Sequence, residues 1–338
     1  SKSNFAMAGI GVPDTKRRID LGSGTDLLLN VAGRTLRYGV AADGWRFVDT
    51  VTAETDGGVR LGFIYELEQE QIRATRWYAA YPNTPTIETW TRIEKAGSNS
   101  TTLNGVSLWN VTVAPGGIDW LTGLQVPEGS GEPFTLQHSQ LGPGDQLNLG
   151  AAGRSSEFVV PWFVVGQGLD KLYVGLLWSG AWGATIRRRD ADVQLSVGLP
   201  STVTTVSGST PVETPHLFFG VARGPSPVIA ASLRPFLRDS LRSGRGWDAS
   251  VTYNTWFAYG TRIDEDNIRR EIEANVALGT ETFVLDAGWY PGDAEYWDFT
   301  AGLGSWEVDP GRFPNGLGVL ADDARAHGMR FGIWVEPE

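Results

Sequence analysis

At 338 residues with 41% apolar content, the chain can bury a large core and is expected to form two domains rather than one. Acidic residues outnumber basic ones 39 to 28, a formal charge of −11, and the scattered Lys and Arg form no stripe able to neutralise a phosphate backbone, so nucleic acid is not an expected partner. No apolar run approaches the roughly 18 to 20 residues that span a bilayer, and zero cysteines exclude disulfides, thiolate nucleophiles and Cys-containing zinc sites.

Residues 1–14 lack the basic and apolar regions of a signal peptide. The expectation is a soluble chain without a membrane partner. The compartment stays open with the cytoplasm favoured, and a start at Ser1 without Met is compatible with a removed leader.

From residue 10 to about 219 the pattern is all-β: short runs of Val, Ile, Leu, Thr and aromatics punctuated by Gly, Asn and Asp at turn spacing. Residues 26–32 and 34–41, with Gly33 between them, read as a hairpin, and 58–66 and 72–81 continue the rhythm. In 86–94, Ile87, Thr89, Thr91 and Ile93 share one face, while Glu88, Trp90, Arg92 and Glu94 share the other. Strands at 103–113, 161–167, 171–178 and 193–199 complete an antiparallel sandwich of about 12 to 16 strands. Most of the 14 Trp are expected to be packing mass in it.

A change of character at Pro225 marks a linker helix over 228–242, either kinked at Pro235 or starting there. The expected organisation is a sandwich domain over 1–224, a linker helix region over 225–249, and a domain over 250–338 that alternates strand and helix. In that last domain 250–259 reads as a strand. Asp264 caps a helix over 265–278 with Ile268, Ile272 and Val276 as its apolar stripe, and Gly279 closes it. Strand 281–286, a long loop, a helix over 318–327 ended by Gly328, and strand 330–335 follow. Three parallel strands with helical crossovers are most simply the first three βα units of a (β/α)8 TIM barrel, with a doubly wound sheet as the alternative. The barrel is favoured because no Gly-rich phosphate turn follows the first strand and the functional-looking residues gather at strand C-termini.

Two groups of carboxylates stand at those ends. Asp286 emerges where the second strand meets its loop, too far from the next helix to serve as its cap. Trp334, Glu336 and Glu338 fall on one face by period two, so the two Glu are either a glycosidase acid/base pair or structural residues; catalytic carboxylates of a barrel usually come from different strands. His138, His216 and His327 lie in unrelated elements and suggest no metal site, with His327 complementing a helix C-terminus. No metal and no cofactor is expected. Asp264-Glu265-Asp266 is an acidic first turn and not a calcium loop.

Five segments in order carry a resemblance: Tyr253-Asn254-Thr255-Trp256, the run from Phe283 to Trp289, Gly304-Ser305-Trp306-Glu307-Val308-Asp309, the run from Arg312 to Leu317, and the run from Phe331 to Glu338. Together they resemble the family 36 glycoside hydrolases, the bacterial α-galactosidase or melibiase group. Pro161-Trp162-Phe163-Val164-Val165 and Trp178-Ser179-Gly180 resemble its sandwich more weakly. The resemblance implies an N-terminal β-supersandwich, a linker, a catalytic barrel and a C-terminal β-domain, so it covers this whole chain in layout and about its last 88 residues in motif.

It also implies retaining hydrolysis of terminal α-D-galactosyl residues, with an aspartate nucleophile on the fourth barrel strand and an aspartate acid/base on the sixth. Neither strand is in this sequence, so no catalytic residue is assigned. The implied sugar-binding residues are Trp256 against the galactose ring, Asp286 on its hydroxyls, and Trp334, Ala287 and Trp289 around them. Many members have a second Asp where this chain has Ala287, which removes one strong acceptor and opens the glycone preference. The expected partner is an α-galactoside oligosaccharide. A second polypeptide completing the barrel and a homo-oligomer are both compatible with the pattern, and the chain alone is expected not to hydrolyse an α-galactoside. The alternatives are an α-N-acetylgalactosaminidase or other α-glycosidase of this fold, or a non-catalytic fragment or module that only binds carbohydrate.

Overall fold

The computed structural model describes residues 5–12, 15–22, 25–55, 57–126, 132–241, 249–292 and 298–336. It divides into two compact units, Ser1–Arg245 and Gly246–Glu338. No helix among the described residues is long and apolar enough to cross a membrane.

The first unit is a sandwich of two antiparallel sheets. The larger runs, in spatial order, Leu136–Ser139, Gly117–Thr122, Val159–Gly166, Asp170–Leu177, His216–Arg223, Ile87–Lys95, Ile72–Ala80, Gly58–Leu67 and Trp45–Thr55, with Val212–Glu213 also on Ile87–Lys95. The smaller runs Gln146–Ala151, Trp182–Arg188, Val193–Val206, Thr101–Val113, Leu28–Val31 and Arg34–Arg37. A ribbon of Gly9–Gly11 with Arg18–Asp20 stands apart from both. The two main sheets therefore hold 16 of the described strands, at the upper end of the range that the strand pattern gave, and the ribbon adds two outside them. The expected first hairpin forms: Ala32 and Gly33, with φ of 49° and 80°, make the two-residue turn whose twist matches that of its strands.

Inward residues of both sheets make one core, and Trp109 of the smaller sheet stacks on Phe219 of the larger at 4.9 Å. A fully buried ion pair is built into it. Arg76 Nε lies 3.2 Å from Asp26 Oδ2, Nη1 donates to Thr91 Oγ1 at 3.1 Å, and Nη2 donates to the Leu108 carbonyl at 2.7 Å. One guanidinium thus links the larger sheet to a strand of the smaller. Burial pushes the Asp26 carboxyl up, against the pull of Arg76.

Strand Ile87–Lys95 departs from simple alternation. Thr89, Thr91 and Ile93 face the core as expected, yet Glu88 and Trp90 on the other face are also buried. The reason is His216, whose ring lies flat on Trp90 at 4.4 Å while Nδ1 meets Glu88 Oε1 and Nε2 meets Glu213. Tyr81 donates to the other oxygen of Glu88. Burial alone would lower the His216 pKa, but the hydrogen bonds and charges of Glu88 and Glu213 outweigh it and raise the value.

The stretch expected as one helix is two pieces. An α-helix spans Ser226–Ser232 and a π-helical turn spans Phe236–Ser240, with Pro235 between them. Ile229, Leu233 and Phe236 pack on Val164, Tyr173 and Phe218 of the larger sheet. At its start the Ser226 hydroxyl donates to Asp119, which also takes Lys171 Nζ at 3.1 Å and His138 Nδ1 at 2.5 Å.

In the second unit three parallel strands, Thr252–Asn254, Thr282–Leu285 and Arg330–Ile333, align Tyr253 with Phe283 and Phe283 with Phe331. Helices Glu265–Val276 and Gly318–Ala326 make the crossovers. The first begins with a capping box in which Asp264 Oδ1 accepts from Asn267 N at 2.8 Å and Asn267 Oδ1 accepts from Asp264 N at 3.0 Å. Ile268 and Ile272 are fully buried, whereas Val276 of the expected stripe is 43% exposed in the last turn. The first and third strands are shorter than period-two reading suggested. Asn254 Oδ1 accepts from Trp256 N at 2.8 Å and folds Trp256–Tyr259 into a helical turn, and the third ladder stops at Ile333, so Trp334 and Glu336 lie past it and not on a strand face. Glu338 lies outside the described residues.

Two stability tests follow. Arg76→Ala leaves a buried carboxylate unpaired, and urea unfolding should report a loss of about 3–5 kcal/mol; a loss below about 1 kcal/mol would mean the pair is dispensable. For His216 the raised folded pKa contributes stability that is complete below the unfolded value near 6.5 and is lost as pH rises through the folded value. Unfolding free energy should therefore fall as pH rises from about 6.5 through the raised folded value, and His216→Gln should remove that component.

Candidate sugar-binding site

The C-terminal ends of the three parallel strands meet at a pocket of about 280 Å³ lined by Trp256, Asp286, Ala287, Phe299 and Trp334. All but Phe299 follow directly on or shortly after a strand end. Asp286 follows strand Thr282–Leu285 directly, and its backbone N–H donates to Thr255 Oγ1 at 3.0 Å, tying it to the end of the first strand. Trp334 follows the third strand, and its N–H donates to the Leu285 carbonyl at 2.9 Å. Parallel register thus delivers residues 30 or more apart in sequence to one place.

Asp286 is 8% exposed. Its Oδ2 accepts from Asn254 Nδ2 at 2.6 Å and its Oδ1 from the Ala287 backbone N–H at 2.8 Å, so each oxygen is held by one donor with acceptor capacity left over. Around it the surfaces are aromatic. Phe299 meets Trp256 edge-on at 5.9 Å and Trp334 edge-on at 5.7 Å. A single carboxylate among aromatic faces suits a ligand with hydroxyls on one side and C–H groups on the other.

Of the five residues expected to bind sugar, Trp256, Asp286, Ala287 and Trp334 line this pocket, and Trp289 does not. Trp289 is buried beneath it, its Nε1 donating to the Trp334 carbonyl at 2.9 Å. It also packs against Tyr290 and Trp306, and Trp306 packs in turn against Trp334. Its role in this geometry is to position Trp334. Phe299 was not anticipated, because it sits in a loop without periodicity; the Tyr290 hydroxyl fixes it by donating to its carbonyl at 2.7 Å. Burial, then the charge of Asp286, raises the Tyr290 pKa and keeps that donor protonated.

The resemblance motif at 312–317 is structural in this geometry. Arg312 Nη1 donates to the carbonyls of Gly288 at 2.6 Å and Thr261 at 3.3 Å, and Nη2 to that of Gly292 at 3.2 Å. Asn315 donates through N and Nδ2 to Glu265, anchoring the loop on the first helix. Glu271 of that helix takes the hydroxyls of Tyr253 at 2.8 Å and Tyr259 at 2.5 Å. The Tyr259 pKa is pushed up to about 12, chiefly by its hydrogen bond to Glu271. Among the described residues no cluster of three or more His, Asp or Glu could hold a metal ion.

Comparison with known proteins agrees with this layout. Residues 214–338 match the Melibiase family model. The α-galactosidase of Escherichia coli is 39% identical over 104 residues, which is 30% of this chain and 14% of that protein. Alpha-galactosidase 2 of Pediococcus pentosaceus is 43% identical over 86 residues, 25% of this chain and 11% of that protein. In fold, the chain is similar to the GH36 α-galactosidase AgaA of Geobacillus stearothermophilus, with a TM-score of 0.72 at 20% identity over 93% of this chain and 46% of that one. A variant of AgaA solved in complex with stachyose gives 0.73 at 18% identity over 99% of this chain and 51% of that one. The chain therefore spans about half the length of these solved structures, and the segments aligned with the curated relatives are a small part of those proteins. In fold it is similar to GH36 α-galactosidases over nearly its whole length, and residues 214–338 carry the Melibiase match.

The Arg312 clamp is testable. Arg312→Ala leaves the carbonyls of Thr261, Gly288 and Gly292 without their donor, and chemical unfolding should report a loss of about 2–3 kcal/mol. Arg312→Lys should recover little of it, because one ammonium cannot reproduce the forked geometry.

Proposed function

We propose that this chain supplies the glycone-binding half of a retaining glycoside hydrolase acting on terminal α-D-galactosyl residues of oligosaccharides. The observation that carries the reading is the convergence of Trp256, Asp286 and Trp334 from three strand ends on one pocket, in the region that matches the Melibiase model. Trp256 and Trp334 offer faces to the C–H surface of a pyranose, and Asp286 accepts from its hydroxyls. Trp289 acts at one remove, through the carbonyl of Trp334.

The described residues do not furnish the chemistry. Double displacement with retention uses two carboxylates about 5 Å apart, and Asp286 is the one carboxylate lining the pocket among the described residues. The nucleophile and the acid/base then come from residues outside those described, on the same or another polypeptide. The α-galactosidases to which the chain is similar include one solved with stachyose and one with raffinose, which supports an oligosaccharide as the substrate class.

Ala287 favours keeping a second reading. It is buried in the pocket wall and puts a methyl group beside Asp286, so an α-N-acetylgalactosaminidase or another α-glycosidase of this fold fits the same frame. A panel of nitrophenyl α-glycosides on the complete assembly separates the two.

Titration of the chain with D-galactose, read by tryptophan fluorescence, should give saturable binding that Asp286→Ala weakens at least about tenfold, or about 1.4 kcal/mol. Equal affinity in the wild type and Asp286→Ala would remove Asp286 from the site and with it this reading.

A further inference from the structure

On the outer face of the smaller sandwich sheet, a row of glycines crosses three neighbouring strands: Gly150 pairs with Gly183, and Gly183 with Gly198. The row continues across the next two strands as Ser107 and Leu28. Glycine is required at 198 because a Cβ there would lie 2.0 Å from the Val106 carbonyl oxygen. The consequence is a trench of about 420 Å³ on a sheet face that would otherwise be covered by side chains. One wall is the next row along the strands, Asn148, Thr185 and Ser196, which pair in that order. The opposite wall rises where the ladder loses register between Leu199 and Val203, bringing Pro200 over Gly183.

We propose that this trench binds a neutral, linear oligosaccharide lying across the strands. Its polar lining is Asn30, Asn104, Ser107, Asn148, Thr185 and Ser196 with Thr35, and it holds neither a charged nor an aromatic side chain. Amides and hydroxyls both donate and accept, which is the pattern that sugar hydroxyls answer. Asn148 Oδ1 accepts from Gln146 and Thr185 and leaves its Nδ2 donors uncommitted among the described residues. Ser107 and Ser196 share one hydrogen bond at 3.0 Å and keep further acceptor capacity.

Spacing supports the same ligand. Strands repeat every ~4.8 Å, close to the length of one pyranose, so successive strands can address successive sugar units. A peptide fits less well. Peptides are usually held by main-chain pairing at a sheet edge, by apolar pockets or by charge, and this trench lies on a face whose backbone groups are already paired. The absence of a cation from the lining argues against phosphate-bearing ligands.

The test uses the intact chain and a panel of neutral linear tetrasaccharides: α-glucan, β-glucan, β-mannan and β-galactan. Amide signals of Asn104, Ser107, Thr185 and Ser196 in heteronuclear NMR should shift saturably with at least one of them, with Kd on the order of 1–10 mM. Asn148→Ala combined with Thr185→Val should weaken binding at least about fivefold at an unchanged melting temperature, and Trp256→Ala should leave it intact, which separates this site from the galactosyl pocket. Should the double variant fail to fold, Asn104→Ala on the opposite wall serves the same purpose with the same expected loss. The proposal is overturned if no tetrasaccharide gives saturable shifts at these residues, if the folded wall variants bind as the wild type does, or if only Trp256→Ala abolishes binding.

Discussion

The parallel register of three short strands is the constraint on which the site depends. Pairing Tyr253 with Phe283 and Phe283 with Phe331 brings the strand ends level, and it is past those ends that Trp256, Asp286 and Trp334 stand. The register is itself fixed by burial. Phe283 and Leu285 are fully withdrawn from solvent between the strands and helices of the unit, and a slip of one residue would turn both outward. Hydrogen bonds past the ladder then finish the alignment: Thr255 Oγ1 holds the Asp286 amide, and the Leu285 carbonyl holds that of Trp334.

The loop between the second strand and the second helix is the costliest part of this arrangement, because it brings irregular backbone close to a buried carboxylate. Its carbonyls would lack partners without a donor of the right shape. Arg312 provides that donor to two of them, Gly288 and Gly292, and to Thr261 ahead of the first helix, and Glu265, fixed by Asn315, ties the loop to the helix N-terminus. An aromatic cluster fills the remaining space. Trp289, Tyr290 and Trp306 form a layer under and beside Trp334, so the pocket wall rests on packed rings. Motif residues thus divide between those that face the pocket and those that hold its rim, a division that spacing in sequence does not reveal.

What could be read from sequence follows from what is local. Helix Glu265–Val276 was readable because Asp264 stands at its start as a cap and Ile268 and Ile272 recur at helical spacing. The emergence of Asp286 at a strand end was readable for a similar reason, since Phe283 to Leu285 is an apolar run with a sharp polar boundary. Phe299 was not, because a loop residue reaches its place through contacts with Trp256, Tyr290 and Trp334 that no period encodes. Alternation was carried too far at Glu336, where the ladder had already ended. In the sandwich, alternation sorted Thr89, Thr91 and Ile93 correctly but could not show that His216, from a distant strand, covers Trp90 and Glu88 on the opposite face. The Arg76–Asp26 pair was invisible for the same reason: a charged pair inside a core is defined by two segments 50 residues apart.

The role of Asp286 can be argued from its donors. A nucleophile must present an oxygen whose lone pairs are free to form a bond to carbon, and a general acid must carry a proton that it can release. Asp286 accepts one hydrogen bond on each oxygen, from Asn254 Nδ2 and from the Ala287 amide, and keeps lone pairs on both, while no second carboxylate lines the pocket among the described residues. Both contacts hold the carboxylate in place. A carboxylate held in this way suits the proposed role of an orienting acceptor, set to fix a hydroxyl-bearing ring against Trp256 and Trp334 at little cost in reorganisation. The same hydrogen bonds that hold Asp286 still leave it lone pairs for a ligand's hydroxyls, which is what the proposed binding role requires of it.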